Sequence, residues 1–120
     1  MVATDRYVML VSMDVAPEKE ALFNEVYDEE HIPNLMAVPG VLRVTRAKTI
    51  PFKVSIGGVE KSMPAATPHY TAIYELSSPD IVASPAWAAA VEAGRWPSEV
   101  RPYTSNRHHT MSRMVAFFGE

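Results

Sequence analysis

Three titratable side chains, Tyr27, Glu30 and His31, crowd the run Phe23-Asn24-Glu25-Val26-Tyr27-Asp28-Glu29-Glu30-His31-Ile32-Pro33. Histidine titrates near 6.5, so a positioned His31 suits general acid or base work at neutral pH, and a phenol one turn away suits donation to a developing oxyanion. Tyr27 and His31 lie four apart, which places them on one face of a helix. Proline disfavours helical geometry in the residue before it, so Pro33 is expected to end the helix at Ile32 and leave His31 in the last turn. At that negative end of the helix dipole the protonated imidazole would be favoured.

Glu30 stands out from its acidic neighbours. Turning 100° per residue from Leu22 puts Val26 at about 40° and Glu30 at about 80°, inside the arc bounded by Leu22 and Phe23, with Asp28 and Glu29 outside it. An inward carboxylate needs a partner or a cavity. It pairs either with Arg46, a structural ion pair, or with His31, an acid/base pair. The plainer readings of the other two are a histidine that caps the last carbonyls and a tyrosine packed with its tip in water.

Other candidates lie further along. His108 and His109 are adjacent on a predicted strand and point to opposite faces; one of them, with Arg107 or Arg113, would reach a cavity and bind a carboxylate or phenolate. His109 is taken as that residue, with Arg46, Tyr74 and Trp87 as the other substrate-binding candidates. Trp87 and Trp96 otherwise serve as anchors of the second helix and its following loop, and His69 reads as solvated. Four histidines without cysteine, and without HxH or HxxxH spacing, do not make a metal site. There is no glycine-rich phosphate loop and no GxSxG elbow, so no cofactor is expected.

These residues need elements to hold them. With 120 residues, 48% of them hydrophobic, the chain reads as a single domain over 1–120. A net charge of -3 with scattered basic residues argues against nucleic acid. The apolar run Tyr7 to Val11 is too short to span a bilayer and follows no leader-like segment, so a cytoplasmic protein without membrane contact is expected. The absence of cysteine removes disulfides, thiolate metal sites and cysteine nucleophiles together.

Arg6 to Met13 predicts a strand apolar on both faces, and Pro17, followed by Glu18 and Glu20, predicts a helix to about Ile32. Val41 to Thr49 and His69 to Leu76 read as strands, with a hairpin-like excursion over about 50–68 around Gly57-Gly58. Ser78-Pro79-Asp80 and Ser84-Pro85 are successive helix starts, a short turn and then a helix to Ala93. Arg95 to Thr104 reads as a loop because it contains two prolines, and Asn106 to Phe118 as a last strand. Strand, helix, strand, strand, helix, strand is the ferredoxin-like split βαββαβ order, an α+β fold with a four-stranded antiparallel sheet and both helices on one face. Tyr7, Met9, Val11 and Met13 cannot share a face with Val8 and Leu10, so the second face is expected to pack on another copy as a two-fold homodimer.

The run Asn24 to Pro33, with Val38-Pro39-Gly40-Val41, Ser84-Pro85-Ala86-Trp87 and Arg101-Pro102-Tyr103-Thr104, resembles EthD-like members of the dimeric α+β barrel superfamily. The resemblance covers most of the chain outside the excursion. It implies a dimeric barrel and a pocket between sheet and helices, lined by histidine, tyrosine and acidic or amide side chains. The superfamily includes isomerases, cyclases, cofactor-free monooxygenases and haem-degrading enzymes. Val26 stands where that motif would hold tryptophan, and the asparagine, tryptophan and histidine set of the haem-degrading branch is not found, which sets that branch aside.

The leading expectation is a cofactor-independent isomerase, cyclase or lactone-processing enzyme acting on a small cyclic or aromatic-derived compound. His31 would move the proton, Glu30 orient it, and Tyr27 and Arg46 stabilise the oxyanion. Two alternatives are a non-catalytic dimer that binds a small ligand and a cofactor-free monooxygenase.

Overall fold

Alternation along the first strand decides the layering. In the computed structural model, which describes residues 5–119, β1 (Tyr7–Val15) buries Met9, Val11 and Met13 on one face. Leu10 on the other face is 38% exposed. The remaining strands are β2 (Val41–Lys48), β3 (Phe52–Ile56), β4 (Val59–Met63), β5 (Tyr70–Leu76) and β6 (Thr104–Arg113). Four of them form one antiparallel sheet in the order β2-β5-β1-β6, the ferredoxin-like arrangement. β3 and β4 form a separate hairpin, turned by Gly57 and Gly58 at φ 61° and 78°, which only glycine adopts freely.

Helices cover the Met9 face. The first helical body starts with a 3-10 turn (Pro17–Lys19) and runs through α1 (Glu20–Val26), a π-turn (Tyr27–His31) and α2 (Ile32–Met36). The helix therefore does not stop at Ile32. The ring of Pro33 would clash with the Glu29 carbonyl in a regular α-helix, and Pro33 has no N–H to give it. Widening the turn removes the conflict, and the Ile32 N–H donates to the carbonyl of Tyr27, five residues back.

On the second side of the layer, Ser78 accepts from the Asp80 N–H and opens a 3-10 turn (Pro79–Ala83); Ser84 accepts from the Trp87 N–H and opens α3 (Pro85–Val91). The segment expected as a loop is helical: a second π-turn (Trp96–Val100) and a 3-10 turn (Arg101–Tyr103). Its prolines, Pro97 and Pro102, sit in first turns, where the missing N–H costs nothing. The last strand ends at Arg113 rather than Phe118 because its partner β1 runs out, Arg113 lying opposite Tyr7.

Phe23, Val26, Leu35, Tyr74, Leu76 and Val100 form the sealed centre between sheet and helices. Full burial of such a side chain is worth about 1.5–3 kcal/mol. No helix among the described residues covers the opposite face, where the partly exposed Val8, Leu10 and Ile73 form an apolar strip bordered by a Ser12–Thr71 hydroxyl pair at 2.8 Å. No helix among the described residues is long and apolar enough to cross a membrane.

Candidate functional site

The two π-turns face each other across the helical layer, each presenting rings inward. Tyr27 and His31 come from the first and Trp96 from the second; the His31 and Trp96 rings stack with centroids 4.3 Å apart and planes 18° apart. Tyr27 meets both edge-on, at 5.2 Å and 5.0 Å. A clasp holds the turns together. Glu30 accepts from the Arg95 backbone N–H at 3.0 Å and from Arg95 Nε at 2.5 Å, while Arg95 also donates to Glu25 at 3.0 Å. Gly94, at φ 70°, lets the chain pass: a Cβ there would sit 2.5 Å from Glu30 Oε1.

Behind this aromatic wall lies a cavity of about 460 Å³, within the range usual for small-molecule sites. Met9, Val11 and Met13 of β1 and Tyr74 of β5 form its floor, and Leu35, Val82, Trp87 and Val91 close it from the helical layer. β6 adds Arg107 and His109, and Arg101 reaches in from its 3-10 turn. No aspartate or glutamate is among the lining residues.

Desolvation sets the ionisation of this site. His31, 5% exposed, has its pKa brought down to about 4, first by burial and then by the Arg101 and Arg107 charges. It is neutral at pH 7, the reverse of the helix-end expectation, because the helix continues past it and the ring itself is buried. Nδ1 is sealed off without a hydrogen-bond partner, so Nε2 is the ring nitrogen left for a bound molecule. Buried donors without acceptors are rarer than under-used acceptors, which favours the tautomer with its proton on Nε2. Tyr27 and Tyr74 share a hydrogen bond, and burial raises both pKa values, keeping the phenols protonated. His109 is lowered by burial and by Arg107. The site is thus a set of neutral donors beside two guanidinium ions, equipped to hold negative charge rather than to seize a proton.

Among the sequence candidates, the fold brings Tyr27, His31, Tyr74, Trp87 and His109 to the cavity. Two go elsewhere. Glu30 is taken by Arg95 rather than by His31 or Arg46, because the second π-turn, unforeseen in the sequence, supplies a closer cation. Arg46 donates to Asp28 at 2.6 Å and Asn24 at 2.8 Å, with its guanidinium 4.4 Å over the Tyr27 ring, and is not among the lining residues. Trp96 and Arg101 join the site because the supposed loop is helical. Arg107 and His109, two apart on β6, share the cavity face, and His108 takes the other, pairing with Ser12. No group of three or more metal-ligating side chains occurs among the described residues.

No protein-family model and no curated protein matches the chain. Solved structures do. A variant of MhuD with two manganese protoporphyrin IX bound per active site has a TM-score of 0.63 at 14% identity, over 95% of this chain and 99% of that one. A dimeric protein of unknown function with a ferredoxin-like fold, from Bacteroides fragilis, has a TM-score of 0.58 at 11% identity, over 94% and 100%. An EthD family protein from Bacillus halodurans has a TM-score of 0.57 at 12% identity, over 91% and 99%. MhuD from Mycobacterium tuberculosis is described as a heme-degrader. The isomerase, cyclase or lactone-processing expectation is corrected: these neighbours do not point to it, and proton abstraction and return needed a basic His31 oriented by Glu30, whereas His31 is held neutral and Glu30 is bound to Arg95. In architecture the chain shares the ferredoxin-like α+β fold of the EthD-like dimeric α+β barrel proteins.

Proposed function

We propose that the protein is a monooxygenase that oxidises a planar aromatic compound held in the cavity behind the two π-turns. The observation that carries this reading is the stacked His31–Trp96 wall beside a cavity of neutral donors and unneutralised positive charge. Flat rings slide onto a stacked wall, and a phenol or its keto form loses a proton more readily where the resulting oxyanion meets fixed donors. The electron-rich anion then supplies electrons to O₂. A ring CH₂ becomes C=O, giving up four electrons; one oxygen atom stays in the product and the other leaves as water with the two hydrogens. Tyr27, to which the Tyr74 hydroxyl donates, and Nε2–H of His31 form the donor set for the oxyanion. Met9, Val11, Leu35 and Trp87 keep the reacting carbon away from bulk water.

That the MhuD variant, which shares the fold, holds manganese protoporphyrin IX in its active site supports a flat conjugated ligand. The protein is further proposed to work as a homodimer through the Val8, Leu10 and Ile73 face, in keeping with the dimeric neighbour. The test is oxygen uptake with hydroxylated two- and three-ring aromatics, followed by mass spectrometry under ¹⁸O₂. One labelled oxygen in the product supports the proposal. Saturable binding across the panel with no uptake overturns it and makes the protein a ligand-binding module.

A further inference from the structure

We infer that the cavity selects aromatic acids, the carboxylate of the ligand pairing with the guanidinium of Arg107 while its rings lie against Trp96 and His31. This rests on reading the cavity as the ligand site, but not on oxygen chemistry. Arginines in this chain are paired with carboxylates almost throughout: Arg6 and Arg43 with Glu75, Arg46 with Asp28, Arg95 with Glu25 and Glu30, and Arg101 with Glu92. Arg107 and Arg113 differ: neither has a carboxylate in ion-pair range among the described residues, and of the two only Arg107 lines the cavity, its Nη2 donating to the hydroxyl of Thr104 at 2.5 Å. The cavity it lines contains no acidic residue either. Arg101, also in the lining, is already committed to Glu92 at 2.9 Å and the Val91 carbonyl at 3.0 Å.

The backbone aims this cation. Between the Ser12–His108 and Asp14–Ser105 pairs, Met13 faces two residues of β6, Asn106 and Arg107, a bulge in which Asn106 takes φ 54° and donates to Asp14 at 2.9 Å. Bulges redirect side chains, and here Arg107 enters the lining beside His109. Arg107 is exposed yet contributes to the cavity lining, and a guanidinium in that position without a carboxylate partner is open to a ligand carboxylate through paired charge-assisted hydrogen bonds. Its charge is felt inside, since it contributes to the lowered pKa values of His31 and His109.

Trp87 and Trp96 line the cavity, so their fluorescence reports its occupancy. Titrating the full chain with 2-naphthoate and with its neutral counterpart 2-naphthalenemethanol should show the acid bound at least about tenfold more tightly, the size of a charge-assisted hydrogen bond. Arg107→Gln should abolish that preference while leaving 2-naphthalenemethanol binding unchanged, Arg107→Lys should keep part of it, and Arg113→Gln should keep all of it. Equal affinity for the two probes, no binding of either, or a preference that survives Arg107→Gln overturns the inference. Should Arg107→Gln fail to fold, Arg107→Lys and loss of the preference at high salt decide in its place. Acid selectivity without oxygen uptake would leave this inference standing and remove the oxygenase reading.

Discussion

Two recesses of similar size open on this molecule, and they use their polar groups in opposite ways. Beside the cavity of about 460 Å³ is a pocket of about 410 Å³ formed by Asp14, Val15, Pro17, Glu20, Lys48, His69 and Tyr70. In the pocket every charged side chain serves a neighbour. His69 Nδ1 lies 3.1 Å from Asp14, Lys48 donates to Glu20 at 2.9 Å, and the Tyr70 hydroxyl also donates to Glu20. In the cavity, His31 has a nitrogen with no partner and Arg107 has no counter-ion. Volume does not distinguish a binding site from a gap between ion pairs. Unspent polar capacity does.

The sharpest way to break the contrast is to remove the wall. Trp96→Ala deletes a ring that packs on Phe23, Tyr27 and His31, so stability should fall by about 3–5 kcal/mol in urea unfolding, and cavity ligands should no longer bind. A loss below about 1 kcal/mol would mean that the wall is not packed as described.

Next in size is the acid response, which separates the two recesses by pH. His31 has a folded pKa of about 4 against about 6.5 when unfolded. Between those values the unfolded chain binds the extra proton, so stability falls as the pH drops from 6.5 to 4, by on the order of 3 kcal/mol in all. Asp14 and Glu20 behave differently: hydrogen bonds from Asn106 and Tyr70, the first cause in each case, hold their folded pKa values below the ordinary carboxylate range. Their contribution is complete above the unfolded values and disappears only as the pH falls further through the folded ones. His31→Phe keeps the stacked ring and removes the titration. Its urea midpoint should lose most of its slope between pH 7 and 5, the remainder belonging to His109, whose pKa is also lowered, and should match or exceed wild type at pH 7, because an unpaired buried nitrogen has gone. Aromatic oxidation should fall about a hundredfold. An unchanged acid slope would show that His31 is not the group that titrates.

What the residues disclosed beforehand follows the same division. Alternating strands, the serine starts at Ser78 and Ser84 and the Gly57-Gly58 turn are local signals, and each led to the right element. Tyr27 and His31 were visible as a pair from their spacing alone. Their environment was not. Whether Pro33 stops a helix or widens it depends on what α2 packs against, and Leu35, 1% exposed, shows how much burial favours continuing. Trp96, read as an anchor of the loop after the second helix, and Arg101, quoted only as part of a motif, were not placed in the site for the converse reason, since Pro97 and Pro102 look like breakers unless they occupy a first turn. Arg107 could be named as a cation near the site, but its lack of a counter-ion is a property of three dimensions. Signals that could have exposed the second π-turn were the proline following Trp96 and the apolar Trp96 and Val100 one turn apart.

Gly94→Ala tests the clasp between the π-turns, with a smaller expected effect. Alanine at φ 70° is strained, and its Cβ meets Glu30 Oε1, so a loss of about 1–3 kcal/mol is expected, together with altered Trp96 fluorescence as the second π-turn shifts. Stability lost without any spectral change would confine Gly94 to backbone strain.

His69→Ala should do least. Its side chain is 47% exposed, and the bond to Asp14 is a surface pair worth about 0.2–1 kcal/mol. Asp14 keeps the His69 backbone N–H at 2.8 Å and Asn106 at 2.9 Å, so its carboxylate is not stranded when the imidazole goes. Oxidation and 2-naphthoate affinity should therefore stay within about twofold of wild type. Were activity lost here and kept in His31→Phe, the partnered recess would be the site, and the inference from unspent polar capacity would fail at its premise: hydrogen bonds that satisfy a histidine in the resting chain can also be the bonds that orient it for catalysis, as they do when a carboxylate fixes an imidazole tautomer.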